Sequence, residues 1–149
     1  MQLDNRFFQL EVLPEEGVFN LTPAEQKYPA VRSASLAVAY SHPGKITENI
    51  HSLIPLPVRK GMSLGVHGPG QKLVLNRHQP DSPLSVQIEF CLPDTCPFLF
   101  WRMGLKNCSP RPISIERIEL LNTERNNHKN GIYFPSSQEE DLAFYVNGW

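Results

Sequence analysis

The sequence contains little that would place the chain on a membrane or on nucleic acid. No run approaches the roughly 18 apolar residues that a transmembrane helix needs. The 14 basic and 15 acidic residues nearly cancel, so there is no electrostatic footprint for nucleic acid or an anionic membrane. The first residues include an early Asp and lack the basic-then-apolar order of a signal peptide. We therefore expect a cytoplasmic protein that binds neither nucleic acid nor membranes.

Cysteine is scarce, with three residues in the whole chain. Cys91 and Cys96 have a spacing that could bridge a loop or start a metal site. An odd count without an export signal favours reduced thiols, however. A structural zinc site usually needs four ligands in paired spacing, and no second pair is present. We expect free thiols, no metal site and no cofactor.

Recognisable catalytic motifs are also missing. GVHGPGQK (65–72) has three glycines but lacks the strand–loop–helix context of a phosphate loop, so it predicts a tight connection between strands. There is no nucleophile elbow and no zinc-protease helix. Glu139, Glu140 and Asp141 are adjacent in one polar segment, whereas glycoside hydrolysis needs two carboxylates that face each other at a defined separation. The sequence predicts no catalytic residue.

Period-2 alternation of apolar and polar residues is the dominant pattern. LSVQIEF (84–90) places four apolar side chains on one face, which is typical of a half-buried strand. FLFWRMGL (98–105) is apolar on both faces near its start, which predicts a central strand. PISIERIELLN (112–122) changes phase near Glu116 and Arg117, which predicts a β-bulge or a change of sheet. Further strand-like segments lie at 6–12, 17–21, 31–40, 61–68, 72–77, 131–135 and 142–146.

Helical signals are confined to TPAEQKY (22–28). Thr22 suits an N-cap, Pro23 the first helical position and Glu25 the capping box, and Pro29 limits the segment to about two turns. About nine short strands separated by turn clusters predict an all-β, antiparallel β-sandwich with at most one or two short helices. We expect residues 1–149 to form a single domain.

The aromatic residues of LAFYVNGW (142–149) allow two interpretations. Phe144 could fill the core while Asn147 and Gly148 simply turn the chain. Alternatively, Trp149 could lie on an exposed loop as a flat surface on which a sugar stacks. The sequence leaves both interpretations open.

Three segments together resemble one enzyme family. LKNCSPRPISIERIELLN (105–122) resembles a strand–turn–strand unit in the N-terminal sandwich of family 36 glycoside hydrolases, which are α-galactosidases and raffinose-synthase-like enzymes. FYVNGW (144–149) resembles the start of the family segment F-[YF]-x-N-G-[WY]-Q-S-W-S, where the sandwich meets the catalytic barrel. The strand FLFWRMGL (98–105) occupies the matching place before them. The resemblance covers about residues 84–149, where only these segments carry it.

The resemblance implies a supersandwich-type domain that ends before the barrel and its catalytic aspartates. A fragment of this kind would have no glycosidase activity of its own. It would pack on the barrel and support oligomer contacts, and Asn147, Gly148 and Trp149 would begin a loop near the substrate entrance. It would also expose an apolar patch that includes Trp149 and part of FLFWRM, since such patches mark interfaces.

Two other functions remain open from the sequence. The chain could be a freestanding carbohydrate-binding sandwich in which Tyr145, Trp149 or Trp101 stacks on a galactoside. It could also be a protein-interaction sandwich whose aromatic residues form the core and a homo-oligomer contact. The candidate carbohydrate or interface residues are Asn147, Gly148, Trp149, Tyr145 and Trp101.

Overall fold

The computed structural model describes residues 1–41, 45–77, 82–123 and 131–132, which contain twelve β-strands and one short 3-10 turn, Gly65–His67. No helical segment in these residues has the length and apolar character needed to cross a membrane. The strands are β1 (Gln2–Asp4), β2 (Phe8–Leu13), β3 (Val18–Pro23), β4 (Val31–Ser41), β5 (Lys45–Asn49), β6 (Ile54–Pro55), β7 (Arg59–Ser63), β8 (Pro69–Arg77), β9 (Leu84–Pro93), β10 (Phe100–Asn107), β11 (Ser114–Asn122) and β12 (Gly131–Ile132).

The strands form two antiparallel sheets. The larger sheet has the order β1-β2-β3-β4-β11, and β5 and β12 also pair with the long strand β4. The smaller sheet has the order β10-β9-β8-β6, and β7 also pairs with β8. The predicted all-β, antiparallel sandwich is therefore confirmed.

The core lies between the inner faces of the two sheets. The alternation in residues 84–90 is confirmed, because Leu84, Val86, Ile88 and Phe90 are all buried. Phe90 meets Phe19 of the larger sheet edge to face, with 5.3 Å between ring centroids. The inner faces bury mainly aliphatic side chains, including Leu10, Val12, Leu36, Val38, Leu73 and Leu75.

The helix predicted over residues 22–28 is wrong. Thr22 and Pro23 end β3, where they pair with Gln9 and Phe8 of β2. A turn follows, closed by the Gln26 amide donating to the Pro23 carbonyl at 2.9 Å. The helix does not form because these residues pair with β2 instead. The hydrogen bonds of the strand ladder stabilise the segment more than a helix propensity that covers only two turns.

Two predictions about β10 and β11 have different outcomes. The pairing of β11 with β4 shifts register between Ile115 and Arg117, which confirms the predicted bulge. In the described part of the chain, β10 pairs with β9 alone and lies at the edge of the smaller sheet. This is not the central position that its two apolar faces predict. The apolar residues of β10 are therefore at a side of the sandwich.

Candidate functional site

Trp101 is the one predicted contact residue within the described residues; Tyr145, Asn147, Gly148 and Trp149 lie outside them. Its ring is half-buried on the inner face of β10, 6.3 Å from the ring of Phe19. Its indole N–H donates to the Leu120 carbonyl of β11 at 3.1 Å. Trp101 thus links the edge strands of the two sheets. Its role as a carbohydrate or interface contact stays a prediction.

The inner face of the sandwich is poorly covered along β10 and β11. We call this surface the open edge and define it by Trp101, Met103, Leu105, Ile115, Ile118, Leu120 and Leu121. The first three are only half-buried, and Ile118 is 46% exposed although it is paired with buried Val38. The inward side chains of β9, by contrast, are at most 2% exposed. Within the part of the chain that the structure describes, the core is closed over β9 and accessible at β10 and β11.

The connection between β10 and β11 is held by its own polar residues. The Asn107 side chain donates to the Arg111 carbonyl at 2.8 Å and accepts from the Ser109 amide at 2.8 Å. The Cys108 amide donates to the Pro83 carbonyl at 2.8 Å. The Asn-x-Ser sequence is therefore a turn that fixes how the chain passes from one sheet to the other.

The outer face of the smaller sheet carries a separate feature, a hollow of about 320 Å³. It forms where β8, β9 and β10 lie side by side, because their register places Lys72 opposite Cys91 and Cys91 opposite Phe100. The segment from β7 to the 3-10 turn covers one side. The residues around the hollow are Met62, Ser63, Leu64, His67, Lys72, Glu89, Cys91 and Phe100.

Glu89 forms the polar floor of this hollow. One of its carboxylate oxygens accepts from Lys72 Nζ at 2.7 Å and from the Arg102 guanidinium at 3.0 Å. Burial raises the pKa of Glu89, but the hydrogen bonds from Lys72 and Arg102 outweigh it and hold that pKa below its ordinary value of 4.5. Glu89 is therefore ionised at neutral pH and shared between two cations.

Cys91 is next to this carboxylate and is not suited to act as a nucleophile. Its thiol donates to the other oxygen of Glu89 at 3.6 Å. Burial raises the pKa of Cys91, and the negative charge of Glu89 raises it further. Since the thiolate is the reactive form, Cys91 stays a neutral thiol at pH 7. The thiol beside the hollow is therefore not activated for covalent chemistry.

Stacked rings form the apolar wall. His67 and Phe100 lie 4.3 Å apart between ring centroids and 29° from parallel. The 3-10 turn presents His67, and the Thr95 hydroxyl fixes the turn by donating to the His67 carbonyl at 3.3 Å. Leu64 packs over Gly70 so closely that a Cβ on Gly70 would lie 2.5 Å from its Cδ1. The wall is thus held in place by the Thr95–His67 hydrogen bond and by the packing of Leu64 on Gly70.

Glu89→Gln should reduce stability in a pH-dependent way. The folded-state pKa lies below 4.5, so the ionised carboxylate stabilises the fold above that pH and loses this effect as the pH falls through its folded pKa. We expect the variant to be less stable by about 1–2 kcal/mol at pH 7. The difference should shrink towards pH 3, as measured by urea unfolding at each pH.

Glu11→Gln is the control for this titration, because Glu11 is an exposed carboxylate bonded to the amide of Asn20. Its effect at pH 7 should stay under about 0.5 kcal/mol, because the side chain is exposed. A Glu89→Gln deficit that does not change between pH 7 and pH 3 would contradict the assignment of Glu89 as an ion-paired carboxylate.

Sequence reasoning did not predict the hollow. The alternation in residues 84–90 correctly puts Glu89 on the polar face, and the strand at 98–105 puts Phe100 and Arg102 on one face. What is missing is the register between strands, which brings Lys72, Glu89 and Arg102 together. A charged residue at the middle of an alternating strand is the one signal that could have pointed here.

Comparisons of the chain with protein-family models, with curated proteins and with solved structures give no match.

Proposed function

We propose that this chain is a non-catalytic β-sandwich module that packs through its open edge on a second folded domain, and that this domain is the catalytic barrel of an α-galactosidase-like glycoside hydrolase. The observation that carries the proposal is the open edge itself. Ile115, Ile118, Leu120 and Leu121 all lie on β11 and are each 39–46% exposed. Contiguous apolar surface of this kind marks an interaction site.

The resemblance and the open edge involve the same segment. Residues 105–122, which resemble the family unit, are the end of β10, the Asn107 turn and β11. This coincidence supports an enzyme-specific partner, because one of the segments that carry the resemblance is also available for docking. A cytoplasmic location and a role in carbohydrate metabolism belong to the same proposal.

The carbohydrate-binding alternative has weaker support among the described residues. Trp101 would have to offer its ring to a sugar, but its ring packs beside Phe19 and its N–H is donated to Leu120. An interface contact does not require the Trp101 ring to be fully exposed, because neighbouring apolar side chains on β11 would contribute most of the buried area.

The test is a binding experiment between the full chain and an α-galactosidase barrel domain expressed without its own sandwich. Sedimentation velocity should show a one-to-one complex. Ile118→Asp should weaken it at least about tenfold, because a charge at the centre of an apolar contact must be desolvated. Val66→Asp is the matched control, since Val66 is 97% exposed on the 3-10 turn, away from the open edge.

Two outcomes would contradict the proposal. One is no complex at about 100 µM of each partner, where even a weak specific contact is measurable. The other is a complex that Ile118→Asp leaves unchanged. A homodimer that Ile118→Asp dissociates, without barrel binding, would assign the open edge to a second copy of the chain and favour the interaction-module alternative.

A further inference from the structure

The hollow on the smaller sheet has a charge environment that differs from that of the whole chain. The strands of the smaller sheet carry six cationic residues, Arg59, Lys60, Lys72, Arg77, Arg102 and Lys106, against one carboxylate, Glu89. Strands of the larger sheet carry Arg32, Lys45 and Arg117 against Asp4, Glu11, Glu48, Glu116 and Glu119. The chain as a whole has a formal charge of −1. Arg77 is paired with Glu48 across the core, and the other five cations still outnumber Glu89 on the sheet that holds the hollow.

The floor of the hollow keeps this excess of positive charge. Glu89 neutralises one of its two partners, so Lys72, Arg102 and Glu89 together leave one net positive charge. Lys72 is mostly buried, with 22% of its side chain exposed, whereas Arg102 is 73% exposed at the rim. The hydrogen bond to Glu89 uses one of the three N–H groups of the Lys72 ammonium, and a guanidinium carries five. Both cations therefore retain donors for an incoming anion.

The apolar wall of the hollow favours a ligand that carries a flat apolar group. Phe100 and His67 offer stacked rings, and Met62 and Leu64 add flexible apolar surface. A flat apolar group can pack against such a wall, because aromatic rings prefer offset or edge contacts with other rings. The volume of about 320 Å³ is at the lower end of the roughly 300–1,000 Å³ that small-molecule sites occupy. The ligand must be small.

We propose that the hollow is a binding site for a small organic oxyanion, a carboxylate or phosphomonoester attached to a flat apolar group. The oxyanion accepts hydrogen bonds from Lys72 and Arg102, and the flat group packs against Phe100. A cationic ligand is disfavoured by the surplus positive charge. The site uses the outer face of β10 and does not depend on the proposed docking at the open edge, which uses the inner face.

Benzoate and phenyl phosphate are the probes, with benzyl alcohol and methyl α-galactoside as neutral comparisons. Titration of the isotope-labelled full chain, followed by NMR amide shifts, should show saturable changes at Lys72 and Phe100. We expect a Kd of about 1 mM or tighter for at least one anion. The tighter of the two anions identifies the carboxylate or the phosphomonoester as the natural oxyanion.

Variants separate the two halves of the site. Lys72→Met should weaken binding about tenfold, because it removes a hydrogen bond to a charged group. Arg102→Gln should weaken it similarly, and Arg102 is exposed enough for this variant to fold normally. Phe100→Ala should weaken the binding of benzoate but not the binding of inorganic phosphate, which has no flat group to pack against the ring. Lys106→Gln, on the same strand beyond the hollow, is the matched control and should stay within about twofold.

Several results would overturn the proposal. The first is that neither benzoate nor phenyl phosphate gives saturable shifts up to about 20 mM, a range that would detect even weak binding. The second is equal binding of benzyl alcohol and benzoate. The third is unchanged anion binding in both Lys72→Met and Arg102→Gln. Preferential binding of methyl α-galactoside would assign the hollow to a neutral sugar instead.

Discussion

Gly17→Ala should be among the most destabilising single substitutions in this protein, with an expected loss of about 4 kcal/mol in the free energy of unfolding. Gly17 ends the turn between β2 and β3, where its amide donates to the Leu13 carbonyl at 3.0 Å. Its φ of +68° lies in the left-handed region, which costs any L-residue with a Cβ roughly 1–2 kcal/mol. The larger part of the effect comes from packing.

A Cβ on Gly17 would collide with the backbone that follows β5. It would lie 1.8 Å from the Ile50 carbonyl oxygen and 2.8 Å from the His51 Cα. These atoms cannot move independently of the core, because Ile50 is 1% exposed and its amide donates to the Leu36 carbonyl of β4 at 2.8 Å. Relief of the collision would displace either the turn or this loop. The turn and the loop are also joined to each other by the hydrogen bond from the Leu53 amide to the Pro14 carbonyl.

Gly65→Ala separates the backbone effect from the packing effect. Gly65 has nearly the same φ, +65°, but no atom lies within 4 Å of the position of its Cβ. Urea unfolding should therefore show a loss of about 1 kcal/mol for this variant. If Gly17→Ala and Gly65→Ala were equally destabilised, the close approach of the Ile50 loop to the turn would be refuted.

The signals in the sequence that correctly predict structure are local ones. Alternation correctly predicts β9, and the phase change at Glu116 correctly predicts the bulge, because each pattern depends only on the residues of a single strand. β1, β5 and β6 are missed, since two to five residues are too few for the pattern to stand out. The helix at 22–28 is wrong because a strand partner outweighs the capping signal.

The functional surfaces are less predictable, because they depend on contacts between strands and not on the pattern within one strand. The open edge depends on which neighbours β10 and β11 have, and apolar residues on both faces of β10 indicate a central strand equally well. The hollow depends on three strand registers at once. Single alternating strands fix which face a residue is on, but not which residue lies beside it. Glu89 and Lys72 could therefore be placed on a polar face without being recognised as partners.

Arg77→Met is the second substitution for which we expect a large effect, a loss of about 3 kcal/mol. Arg77 is 2% exposed at the end of β8 and forms an ion pair with Glu48 of β5, in the opposite sheet. The Tyr40 hydroxyl donates to the other oxygen of Glu48 at 3.2 Å. Burial raises the pKa of Tyr40, and the charge of Glu48 raises it further, so Tyr40 stays a neutral donor. The pair therefore ties the two sheets together across the core.

The expected loss comes from the partner that remains rather than from the missing contact. Without Arg77, Glu48 is an ion with only 18% of its side chain exposed to water, and an uncompensated buried charge is costly. Arg102→Met breaks an ion pair at a residue that is 73% exposed, so it should cost under about 1 kcal/mol.

A second substitution distinguishes this explanation from a simple loss of packing. Adding Glu48→Gln to Arg77→Met removes the uncompensated charge and keeps an oxygen for the Tyr40 hydroxyl. The double variant should therefore be more stable than Arg77→Met alone, by about 1–2 kcal/mol in urea unfolding at pH 7. Additive losses in the double variant would instead mean that Arg77 acts through the packing of its aliphatic stem, and that the cross-sheet ion pair contributes no specific stability.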